Sequence, residues 1–232
     1  MERRGKASAS RGGREDPFTA DALSFEEIRP YLDEMKPGTL FFSDHGRDVS
    51  ARFIEGNWKH CGIYLGSMNQ MQQYWGKDHE LVLLLREYFS SEEDYLIFDS
   101  SYDYGVAIHS IKELADLSEQ STLRTLLLVE TKLGKEEWSR CLLRGMEQLG
   151  KEYDYFFVLE NDDALYCSEF MYLILQMDRC NVTPSRKILG REFLLPSDLL
   201  QSIGKSWGTG GDYTYKGTLS KKEGRLNYDL TQ

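Results

Sequence analysis

The 232-residue sequence predicts an α+β domain in which helices pack on a mainly antiparallel sheet. Three observations carry this reading. The β-type runs "YLIFDSS" and "YGVAIHSI" follow one another across a tight polar turn, as antiparallel neighbours do. "TLRTLLLVET" has the nearly continuous apolar run of a buried strand. "KEEWSRCLLRGMEQLG" and "CSEFMYLILQMD" instead repeat apolar residues at helical spacing.

The elements follow in order. Residues 1–18, rich in Arg, Ser and Gly, read as a flexible N-terminal tail, and residues 19–204 as the folded domain. Ser24 precedes a helix with Phe25, Ile28 and Leu32 on one face and Pro30 inside it. "KPGTLFFSD" is a turn and a strand, and after a polar loop "KHCGIYLGSM" begins a second strand at His60. Residues 68–94, with a helical "HELVLLLREYF", are long for a strand connection and read as an insertion or lid. Then come the strand pair, the helical turn "SIKELADLSEQ", the buried strand, and a helix carrying Trp138, Leu142 and Met146 that Gly150 stops. The "CSEFMYLILQMD" helix and two proline-punctuated stretches, "VTPSRKILGREFLLPSDLLQS", close the domain, and Gly-rich residues 205–232 read as a loosely ordered C-terminal tail.

Composition narrows the function. With 28 basic against 38 acidic residues the net charge is −10, which disfavours a nucleic-acid partner. No apolar run approaches the roughly 20 residues that cross a bilayer. Cys61, Cys141, Cys167 and Cys180 form no CxxC pair, so neither a zinc site nor a dense disulfide framework is indicated. Reduced thiols without a secretory stretch place the chain in the cytoplasm, or outside it had a leader been removed.

Cys167 is the residue that draws attention. A free cysteine is most often a buried space-filler. Here, though, it opens a helix whose stripe is Phe170, Leu173, Ile174 and Met177. The unpaired N–H groups and dipole of a first helical turn stabilise a thiolate, and the same N–H groups can hold an oxyanion. A thiolate needs a base. Of the four histidines, His45 and His79 sit in polar surroundings and read as solvent-facing, whereas His60 starts a strand followed by Gly62 and Gly66, which permit close approach. Asp99, ending "YLIFD", can orient the imidazole through Nδ1, and His109 in the next strand is the rival orienter. Glu169 suits the helix dipole, Asp154 suits a loop tie, and Tyr153, Tyr155 and Tyr166 are candidates to line a cleft.

The order "KHCGIYLG", "YLIFDSSYDYGV", "GKEYDYFFVLENDDALYCSEFMY", "VTPSRKILGREFLLPSDLLQS", over roughly residues 37 to 203, resembles the circularly permuted papain-like hydrolases of the YiiX/YaeF type, relatives of the NlpC cell-wall peptidases and of lecithin retinol acyltransferase. The resemblance implies a permuted papain-like fold with Cys167 at a helix N-terminus as nucleophile, His60 as proton shuttle and Asp99 as orienter. It also implies a cysteine amidase or peptidase acting on a small, possibly cell-wall-derived peptide, without a metal or organic cofactor. Lipid acyl transfer or ester cleavage on the same fold is the second enzymatic expectation. An inert binding module that keeps the cleft, and a structural partner protein, are the readings from other classes. Cys61, directly beside His60, has no role in this picture, and the sequence leaves the oligomeric state open.

Overall fold

The structure is a computed structural model and describes residues 21–46, 56–115, 122–157, 159, 163–175, 186–188, 191–204 and 213–230. The first helix of the described residues, α1 (Phe25–Leu32), is fastened at its start by Glu27, whose carboxylate accepts the Ser24 backbone N–H at 2.9 Å. Strand β1 (Thr39–Gly46) pairs with β2 (His60–Gly66) and with β5 (Thr122–Thr131), both antiparallel. Between β2 and β5 lie α2 (Met68–Trp75), α3 (Glu80–Leu85), the hairpin β3 (Leu96–Ser101) and β4 (Gly105–Ser110), and the short α4 (Lys112–Ala115). After β5 come α5 (Lys135–Met146), α6 (Cys167–Leu175), the small hairpin β6 (Arg186–Ile188) and β7 (Arg191–Phe193), and α7 (Pro196–Gly204). A final pair, β8 (Tyr213–Lys222) and β9 (Arg225–Asp229), completes a seven-stranded antiparallel sheet of order β4-β3-β2-β1-β5-β8-β9. None of the helices among the described residues is long and apolar enough to cross a membrane.

The sheet has apolar cover on both faces, and period-two alternation decides which residues go where. Leu40, Phe42, Ile63, Phe98, Leu127 and Val129 face α5 and α6, meeting Trp138, Leu142, Phe170 and Ile174. Phe41, Tyr64, Ile97, Leu126 and Leu128 face the other way, toward Ile28 and Leu32 of α1. This is why β5 reads as an unbroken apolar run. Both of its sides are buried.

Helix α5 lies close on the sheet because Gly145 has no Cβ, which would fall 2.8 Å from the Phe98 ring. It ends at Met146, and the turn that follows puts Gly150 at a φ of +83°. Of residues 68–94, Met71, Leu81, Val82 and Leu85 are buried in the α5/α6 core, so the segment is packed down on the domain.

The reading of 205–232 as a loosely ordered tail is corrected over its described part. Tyr213 to Ser220 pair along β5, Leu219 is fully buried, and Lys221 Nζ meets Glu27 Oε1 of α1 at 2.8 Å. The hairpin turns at Glu223 and Gly224, both at positive φ, a two-residue geometry matched to strand twist. Polar Lys, Ser and Thr residues hide this strand in the sequence, and a register shift opposite Leu128 and Val129 turns Tyr213 and Tyr215 to the α5/α6 side of the sheet and Leu219 to the other. Residues 1–18, 205–212, Met177 and Cys180 lie outside the described residues.

Candidate active site

Three strands and one helix start bring the candidate side chains together. His60 is the first residue of β2, and its Nε2 lies 2.8 Å from Asp99 Oδ2 on β3. The pairing of β2 with β3 runs only from Ile63↔Phe98 to Gly66↔Leu96, so Asp99 stands just beyond it, beside the start of β2. Gly62 makes the approach possible: a Cβ there would come within 2.6 Å of the Phe41 ring and 2.8 Å of Asp99 Cβ. The sequence reading aimed Asp99 at Nδ1. The structure places it on Nε2, which leaves Nδ1 as the nitrogen available to the thiol.

The β3–β4 hairpin adds a second imidazole. Asp99 pairs with Ala107 and Ile97 with His109, which sets Asp99, Ala107 and His109 on one face. His109 Nε2 lies 3.0 Å from Asp99 Oδ1, and its Nδ1 lies 3.1 Å from Glu113 Oε2 of α4. Asp99 and His109 are therefore not rivals, because the carboxylate stands between the two rings with one oxygen on each.

Helix α6 is held at its start from three directions. Ser100, the residue after Asp99, donates to the Leu165 carbonyl at 2.5 Å; the Leu165 N–H bonds the Glu152 carbonyl at 3.0 Å. On the far side Ser168 Oγ donates to the Leu194 carbonyl at 2.5 Å, and the Leu194 N–H donates to the Tyr166 hydroxyl at 3.3 Å. Tyr166 caps the helix, its carbonyl accepting the Phe170 N–H at 2.9 Å, so the Cys167 and Ser168 N–H groups belong to the open first turn.

Cys167 is 1% exposed, but the surroundings of its sulfur are polar. His60 hydrogen-bonds it, as do both the thiol and the backbone N–H of Cys61. Cys61 follows His60 on β2 and faces the α6 side of the sheet. This is the residue the sequence reading left without a role. Its legible signal was alternation: if His60 and Gly62 face one way, Cys61 faces the helix.

The charges follow from these contacts. The Cys61 hydrogen bond outweighs burial and, with the His60 imidazole, holds the Cys167 thiol well below an ordinary cysteine. Burial, and then the neighbouring sulfur, push Cys61 well above, so it stays protonated and donates. Burial works against a charged His60, yet Asp99 and then Cys167 push it up to about 10. Asp99, despite burial, is held below the usual carboxylate range by His109 first and His60 next. The directions of these shifts favour a thiolate–imidazolium pair backed by a carboxylate. Replacing Cys61 with alanine is expected to move the midpoint of Cys167 alkylation upward by about one to two pH units, the worth of a hydrogen bond to a charged group. An unmoved midpoint in iodoacetamide rate measurements would show that the Cys61 thiol is not a donor.

The other sequence candidates are distributed as follows. Tyr166 is fully buried, Tyr153 is 8% exposed, and only Tyr155, at 54%, turns a broad face to solvent. As a cleft-lining residue Tyr166 is corrected, because it is a pillar under the helix start; Tyr153 packs edge-on to Tyr155 and Phe157. His45, expected in solvent, is buried and bonded to Ser43 at 2.9 Å. His79 caps α3, where its Nδ1 accepts the Leu81 N–H at 3.3 Å. Glu169 is buried in the first turn of α6, and Asp154 accepts the Phe156 N–H at 2.8 Å. Among the described residues no three His, Cys, Asp or Glu side chains stand where they could share a metal ion.

The sequence profile of the permuted papain-like amidase enzymes, YaeF/YiiX, C92 family, matches residues 34–222. The chain belongs to this family. The match spans β1 through β8, so it takes in the histidine strand, the Asp99 hairpin and the cysteine helix together. Among solved structures, this C92-family chain is similar to the metalloprotein YiiX from Escherichia coli O157:H7 at 14% identity, with a TM-score of 0.44 over 85% of this chain and 97% of that one. A search of curated proteins found no match.

Proposed function

We propose that this C92-family amidase is a cysteine hydrolase that cleaves an amide bond of a small peptide, with fragments of cell-wall peptide as the leading candidates. The observation that carries the reading is the unbroken contact from the Cys167 sulfur through His60 to Asp99. In this mechanism the thiolate attacks the scissile carbonyl, and the Cys167 and Ser168 N–H groups receive the oxyanion. The imidazolium of His60 then protonates the leaving amine, and the imidazole so formed takes a proton from the water that releases the acyl group. Asp99 keeps the ring aligned throughout.

The pH window follows from the two shifts. A lowered thiol keeps Cys167 ionised from below the ordinary thiol range upward, and a raised imidazole keeps His60 protonated until pH passes about 10. Plotted for a panel of small peptide amides, kcat/KM is expected to form a broad plateau through neutral pH that falls on the alkaline side near 10. With limiting iodoacetamide at pH 6.5, Cys167 is expected to be labelled ahead of Cys61 and Cys141. Equal labelling, or labelling confined to another cysteine, would defeat the reading.

A further inference from the structure

The contacts around Asp99 extend past the three residues of the thiol centre. Both of its oxygens are engaged: Oδ2 faces His60 at 2.8 Å and Oδ1 faces His109 at 3.0 Å. The carboxylate is fully buried and the His109 side chain is 9% exposed, so little water competes for either contact. His109 in turn has Glu113 Oε2 at 3.1 Å from its other nitrogen, outside the alignment of a hydrogen bond but in ion-pair range. The Tyr104 ring lies 5.0 Å from it, tilted across the imidazole.

We propose that His109 is a positioning residue of the thiol centre, a cation wedged between Asp99 and Glu113 that fixes the carboxylate on which His60 is aligned. The proposal rests on reading Cys167, His60 and Asp99 as that centre.

The chemistry behind it is local. A carboxylate bound to one imidazole can rotate about its last side-chain bond and carry that imidazole with it. Committing the second oxygen to a fixed donor removes the freedom. A neutral His109 would turn a lone pair toward one of the two carboxylates, whereas the imidazolium donates to Asp99 and sets its charge in ion-pair range of Glu113. The groups facing His109 are Asp99 on β3, Glu113 on α4 and, more distantly, His60 on β2; the two carboxylates outweigh the imidazole and, against burial, raise the His109 pKa. From sulfur to surface the charges alternate: thiolate, imidazolium, carboxylate, imidazolium, carboxylate. Each neighbour is attractive, and the chain ends at Glu113, which is 40% exposed.

The test is the pH dependence of Cys167 alkylation by iodoacetamide, with the melting temperature of each variant measured alongside. His109→Phe fills the site without donating to Asp99, and His109→Gln keeps a donor there. His109→Phe is expected to loosen His60, move the acid midpoint up by about one unit and lower the rate at pH 6 about tenfold, the scale seen when outer partners of aligned ligands are removed. His109→Gln is expected to stay within about threefold of the wild type. His109→Phe with the wild-type midpoint overturns the proposal, and so does an equal shift in both variants, which would mean that ring packing matters and donation does not. Should His109→Phe fail to fold, 15N-histidine spectra of the wild-type protein at pH 7.5 decide: protons on both His109 nitrogens are expected, and a neutral ring overturns the proposal. Failure of the underlying centre would look different. In that case His60→Ala would leave the midpoint where it is, whatever His109 does.

Discussion

Replacing His60 with alanine is expected to lower kcat/KM for peptide amides by about 10⁴-fold, or about 5 kcal/mol of transition-state stabilisation, because the proposed mechanism gives the roles of base, acid and ion-pair partner to this one side chain. The thiol consequences separate this from a general loss of fold. Without the imidazolium, Cys167 keeps only the Cys61 donors against burial, so its alkylation midpoint should climb toward the ordinary thiol range. His60 is itself only 14% exposed, and the void left by its ring costs some stability, so the melting temperature must be followed too. Titrating Cys167 with iodoacetamide between pH 5 and 9, and assaying turnover at the same points, gives both numbers. A variant that stays folded and retains turnover within tenfold would remove His60 from the chemistry.

Much of this site was legible in the chain because its parts are local signals. A cysteine at the first residue of an apolar helical stripe, and a histidine opening a strand before two glycines, each announce their backbone setting. What joins them was not legible, since the contact of His60 with Asp99 spans 39 residues and depends on where β2 and β3 stop pairing. The series from Asp99 to His109 lay within reach of counting. A three-residue turn at 102–104 fixes the hairpin register, places Ala107 opposite Asp99, and so sets His109 two residues along on the same face. Treating the two as alternatives missed that a carboxylate has two oxygens.

The misread edges have a different cause. Strand β8, paired between β5 and β9, buries Leu219 and little else fully, so its sequence lacks the apolar density that reveals β5. Tyr166 was misjudged for the opposite reason. Adjacency to Cys167 in the chain suggested a cleft, but a residue that caps a helix from beneath is turned inward, and its hydroxyl is taken by the Leu194 N–H.

Asp99→Asn is expected to cost turnover about 10³- to 10⁴-fold with a small change in melting temperature, by a route distinct from loss of shape. An asparagine has one acceptor oxygen and one amide donor to divide between two imidazoles. His109 donates to residue 99 from Nε2, a role the neutral ring also fills, so the asparagine oxygen goes to His109 and the NH₂ group turns to His60 Nε2. His60 must then offer a lone pair at Nε2 and carry its proton on Nδ1, the side facing Cys167, where it cannot accept the thiol proton. Asp99→Ala makes the contrast. It strips a fully buried carboxylate from between two cations, and the loss of such a partner costs about 3–5 kcal/mol, or roughly 10 °C in melting temperature. Turnover and melting curves of both variants at pH 7 separate alignment from stability. If Asp99→Asn works as well as the wild type, the tautomer of His60 is not set by residue 99.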